Sequence, residues 1–66
     1  MAVMKVIELM SSSGESWEDA TKKAIAKAAE SLSNIKSAWV KEQSVTVKEG
    51  KVDDFRITLK VTFEVM

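Results

Sequence analysis

The chain has 66 residues, 45% of them hydrophobic, with ten basic and ten acidic side chains and neither His nor Cys. Zero formal charge removes the basic footprint that nucleic acid selects, and without His or Cys there is no disulfide and no ordinary zinc site. A domain this small buries only about 60% of the surface its unfolded chain exposes, so self-association is the staple left to it.

Residues 3 to 10, VMKVIELM, are rich in β-branched and long apolar side chains and predict a first strand. It ends at SSSGES, a run of turn-forming residues with Gly14. Ser16, with Glu18 and Asp19 behind it, marks a helix start, because a hydroxyl accepts from free N–H groups and acidic groups meet the positive end of the dipole. From Trp17 to about Leu32 the apolar positions Trp17, Ala20, Ala24, Ile25, Ala28, Ala29 and Leu32 make one stripe, opposite Lys22, Lys23, Lys27 and Glu30. Ser33 and Asn34 are expected to end that helix.

Residues 38 to 48 and 52 to 65 predict two more strands, joined around KEGK, where Gly50 supplies a positive φ. In the last, Phe55, Ile57, Leu59, Val61, Phe63 and Val65 share one face and Arg56, Thr58, Lys60, Thr62 and Glu64 the other. The fold class is therefore α+β, in the order β-α-β-β. A helical crossover followed by a hairpin puts the long last strand between the other two and antiparallel to both. The helix covers one face and leaves the face of Arg56, Thr58 and Lys60 for a partner or an interior space. The longest apolar runs fall far short of the roughly 20 residues that span a bilayer, and no signal-peptide pattern opens the chain. The expectation is a soluble, cytoplasmic, single domain over 1–66, with no nucleic-acid or membrane partner.

The run KVIELMSSSGESWEDATKKAIAKAAESLSNIKSAWVKEQSVTV, the hairpin at Gly50 and FRITLKVTFEV together resemble the dodecin family over nearly the whole chain. The serine-rich turn, the Ala-rich helix, the short hairpin and the Val61-X-Phe63 ending carry the resemblance through their order and spacing. It implies a protomer that assembles with copies of itself into a hollow dodecamer and stores flavin, riboflavin or FMN, in pockets between protomers. In that family a Trp at the start of the second strand stacks on the flavin ring and a Gln in the third strand bonds its edge. Aligned without gaps through Asn34, Val40, Gln43 and Phe63, Ser37 occupies the stacking position and Arg56 the Gln position. Trp39 lies two residues after Ser37, on the same face. Ser37, Trp39 and Arg56 are thus the candidate contacts for a flavin or another flat cofactor. The alternative is a dodecin-like shell, structural or cation-binding, whose altered pocket is closed.

Glu49, Asp53 and Asp54 near the hairpin are oxygen donors of the kind a divalent cation such as calcium takes, although a charged turn is the commoner reason for such a group. Trp17 reads as packing at the end of the helical stripe. Lys5, Lys41 and Lys60 read as solvated charges or as partners of Glu8, Glu42 and Glu64 across interfaces, and the plainer reading of Arg56, on the polar face of its strand, is inter-subunit salt bridging. Ser11 to Gly14 lacks the Lys and the glycine spacing of a phosphate loop. With no His or Cys and no carboxylate pair placed in a cleft, no catalytic constellation appears and no enzyme is expected.

Overall fold

In a computed structural model describing residues 2–65, the chain runs β1 (Val3–Ser13), α1 (Trp17–Ala29), β2 (Ile35–Lys48) and β3 (Lys51–Val65). Met1 and Met66, the two ends of the expected domain, lie outside the described residues. The sheet has the order β1-β3-β2, and both pairings are antiparallel, as the crossover-and-hairpin argument predicts.

Helix α1 begins where the sequence says it should. Ser16 sits in extended backbone and its Oγ accepts the Asp19 N–H at 2.9 Å, and Glu18 and Asp19 occupy the first turn. The helix stops at Ala29, short of Leu32. The Ser31 N–H bonds the Ala28 carbonyl at 3.1 Å and tightens the last turn, and Asn34 then takes a left-handed φ of 59°. Leu32 stays half-buried, so the apolar period runs on past the end of the hydrogen-bonded helix. Ala29, expected in the stripe, is exposed.

The core is narrow. Ala20, Ala24 and Ala28, spaced by one helical turn, are buried, as are Ile57, Leu59 and Val61 of β3, and the first two alanines pack with those three side chains in one cluster. Alanine lets the helix approach the sheet closely, so the core consists of methyl groups against branched side chains. Ile7, Leu9, Trp17, Ile25 and Ile35 close its margins. The Trp17 ring meets Phe55 edge-on, with centroids 5.1 Å apart, and its indole N–H donates to the Ser44 carbonyl at 3.0 Å. That is the packing role its position predicts, with a polar tether added.

The serine run differs from the expected turn. Ser11, Ser12 and Ser13 continue β1 and pair with Ile57, Arg56 and Phe55. The hydroxyls of Ser11 and Ser13 fasten strand to helix: Ser11 Oγ donates to the Ala20 carbonyl at 2.9 Å, and Ser13 Oγ donates to Asp19 Oδ2 at 2.6 Å. Ser13 Oγ also accepts the Glu15 N–H at 2.9 Å. β2 likewise begins earlier than its alternation suggests, at Ile35, because irregularities between Ile35 and Ser37 and between Val40 and Glu42 interrupt the two-residue period. Lys48 pairs directly with Lys51, leaving a two-residue turn in which Glu49 (φ 52°) and Gly50 (φ 76°) both have positive φ. That is the backbone of the primed hairpin turns.

The long strands outrun the helix. Thirteen helical residues cover about 20 Å, whereas the protomer is 51 Å long. Its radius of gyration, 13.6 Å, exceeds the roughly 11 Å of a compact domain of this length. β1 pairs with β3 only as far as Phe55, so the hairpin tip is two strands with nothing over either side. Val47 and Val52, paired there, are 65% and 53% exposed.

Candidate functional site

The register decides which side chains share the sheet face away from α1. Along β3 these are Asp54, Arg56, Thr58, Lys60, Thr62 and Glu64, opposite in phase to the buried Ile57, Leu59 and Val61. From β2, Ser37 pairs with Thr62, Trp39 with Lys60 and Ser44 with Arg56. From β1, Val6 pairs with Thr62, Glu8 with Lys60, Met10 with Thr58 and Ser12 with Arg56. The polar face expected of β3 alone is therefore a mixed face in the sheet, with an indole and several apolar side chains on it. Trp39 is 49% exposed, Val6 47% and Met10 70%.

Ser37, Trp39 and Arg56 all lie on this open face, at different levels. Ser37 is engaged: its hydroxyl meets Thr62 Oγ1 at 2.5 Å, and Thr62 Oγ1 also lies 3.1 Å from the Ser37 carbonyl. Trp39 is level with Lys60, and Arg56 lies four residues further along β3, about 13 Å away along the strand. Within one protomer the indole and the guanidinium do not meet. Beside Trp39, Lys41 Nζ reaches across the central strand to Glu8 Oε1 at 3.3 Å, and Lys36 pairs with Glu64 at 3.7 Å. Pairing of Lys41 with Glu8 inside one protomer was not foreseen from the sequence. It follows from the irregularity between Val40 and Glu42, which no two-residue period reports.

Glu49, Asp53 and Asp54 are not gathered into a metal-holding group within the protomer, and among the described residues no three His, Cys, Asp or Glu side chains form one. Glu49 sits in the turn and Asp54 uses its N–H on Thr46 Oγ1 at 2.9 Å. On the helix side, Asp19 is held below the usual carboxylate range, first by the Ser13 hydroxyl and then by Lys23 at 2.9 Å, while Asp19 raises Lys23 in turn. The Ser13–Asp19 bond ties β1 to the helix N-terminus and the Asp19–Lys23 pair lies within α1, so both belong to the fold.

The profile of the Dodecin family matches residues 3–66. The chain belongs to the dodecin family. Calcium dodecin of Mycobacterium tuberculosis is 38% identical over 64 residues, which cover 97% of this chain and 90% of the relative. The crystal structure of that calcium-chelating protein superposes with a TM-score of 0.85, covering 97% of this chain and 91% of its own. A single-substitution variant of the Thermus thermophilus dodecin superposes with a TM-score of 0.94 at 32% identity, covering 100% of this chain and 98% of its own. A dodecin of Streptomyces coelicolor keeps the same fold, with a TM-score of 0.94, at 20% identity, covering 98% of this chain and 93% of its own. Among the described residues no helix is long and apolar enough to cross a membrane.

Proposed function

We propose that this family member is a small-ligand-binding or storage protein without catalytic activity, folded as one domain over 1–66. In this reading it assembles as a homododecamer and holds a flavin, riboflavin or FMN, or another flat cofactor between protomers, against the open face of the sheet. One observation carries the reading: Trp39 stands half exposed on that face, level with Lys60 of the central strand, while the opposite face is occupied by the protomer's own helix. An indole left in that position offers a plate for stacking. Ser37, bonded to Thr62, floors the neighbouring position where the family places its stacking ring, and Arg56 supplies a donor further along. The bare hairpin tip and the protomer's elongation support self-assembly.

A second reading has its own support. The relative of 38% identity is a calcium dodecin, and Glu49, Asp53 and Asp54 offer oxygen donors to a hard cation if carboxylates of a second protomer join them. The test is a pair of titrations on the purified assembly, its mass fixed by light scattering. Saturable quenching of riboflavin or FMN fluorescence supports the flavin reading. Saturable calcium heat with flavin fluorescence untouched replaces it with the cation-binding shell.

A further inference from the structure

We propose that Arg56 and Ser12 form an anion subsite on the open face, on the β1 side of the sheet, that takes a phosphate group. The inference rests on the reading of this face as a ligand face and adds a ligand class to it. Arg56 is the sole arginine of the chain. Its register partners are Ser12 on β1 and Ser44 on β2, so a guanidinium is flanked on both sides by hydroxyls in one row across the sheet, with paired Cα atoms about 5 Å apart. Among the described residues the four ion pairs are all made by lysines, which leaves the guanidinium fork without a carboxylate within its own protomer.

A cavity of about 220 Å³ lies beside it, lined by Met10, Ser11, Ser12 and Arg56. No β2 residue lines that cavity, so it opens away from Glu42, which pairs with Thr58 on the far side. Asp54 lies beyond the end of β1, which pairs no further than Phe55. Glu8, two face positions along β1 from Ser12, is held by Lys41. The carboxylates nearest the row are thus set to the other side, beyond the strand end, or already paired. A planar fork of N–H donors with a hydroxyl at its flank matches the oxygens of a phosphate, which accepts two parallel bonds from guanidinium. The strand register fixes the Cα positions of both residues in one row.

The experiment uses the intact assembly, wild type and Arg56→Gln, with mass checked by light scattering. Inorganic phosphate is titrated and followed by its phosphorus resonance, and riboflavin and FMN are titrated separately by fluorescence. The expected result is saturable phosphate binding that weakens about tenfold or more in Arg56→Gln and a few-fold in Ser12→Ala, at unchanged mass. If FMN binds more tightly than riboflavin and Arg56→Gln removes the difference, the phosphate is the one carried by the flat ligand. If the two flavins bind alike while inorganic phosphate still depends on Arg56, the subsite takes the free anion. Phosphate binding without any flavin binding rejects the flavin reading and keeps the subsite. Phosphate that fails to bind wild type, or binds Arg56→Gln equally well, overturns the proposal.

Discussion

The two faces of this sheet are built from the same three strands and could hardly differ more in their state within one protomer. On the helix side, Leu59 and Val61 have no exposed surface, packed with Ala20 and Ala24 of the helix. On the open side, Trp39 and Val6 keep about half of theirs exposed, and charge and apolar surface alternate. Burial on the first face is complete within the chain, so its residues answer to stability. Burial on the second is incomplete, so its residues answer to whatever arrives there, a ligand or another copy.

The comparison breaks most severely if the helix-side core is opened. Leu59→Ala leaves a cavity under Ala24 and is expected to cost about 2–5 kcal/mol, read from the shift in a urea or thermal transition. Removing the helix cap is the next largest change. Ser16→Ala strands the Asp19 N–H that Ser16 Oγ now satisfies at 2.9 Å and is expected to cost about 1 kcal/mol, measurable in the same transitions.

The open face should behave in the opposite way. Trp39→Ala is expected to leave the secondary structure of the protomer intact in circular dichroism and to weaken a stacked ligand by about 0.5–1.5 kcal/mol beyond the area lost; unchanged ligand affinity would remove Trp39 from the site. At the bare hairpin tip, Val52→Lys places a charge where apolar surface is uncovered, and the assembled mass in light scattering is expected to fall.

The smallest effect is electrostatic. Asp19 has a lowered folded-state value, so its contribution to stability is complete above the unfolded value near 3.8 and is lost as pH falls through the folded one. Lys23, raised above 10.5, contributes below its unfolded value and loses that contribution as pH rises through the folded one. Ser13→Ala is expected to move the Asp19 titration upward in carbon-detected NMR, since the Ser13 hydroxyl is the largest cause of its depression.

The difference between the faces also explains what could be read from sequence. The order of elements, the Ser16 cap, the hairpin at Gly50 and the buried side of β3 were legible, because each rests on a local period or a single backbone requirement. The extent of β1 was not, since Ser11 to Ser13 have turn chemistry and the run is held in the strand by bonds from Ser11 to Ala20 and from Ser13 to Asp19. The open face was legible only one strand at a time. Which residues of β1 and β2 stand beside Arg56 and Lys60 depends on register and on the irregularity between Val40 and Glu42, and neither leaves a trace in composition or spacing. The missing cover of Val47 and Val52 likewise follows from how far β1 reaches, a tertiary fact.

The chain has two tryptophans, one on each side of this contrast, and they make the most direct test. In the assembled protein, the indole N–H resonances of Trp17 and Trp39 are assigned and followed while riboflavin is added. Trp39 is expected to shift saturably, while Trp17, held between Phe55 and the Ser44 carbonyl, stays in place. A Trp39 resonance that does not move under excess riboflavin, in an assembly of confirmed mass, would contradict the claim that the open face is where this protein receives a flavin.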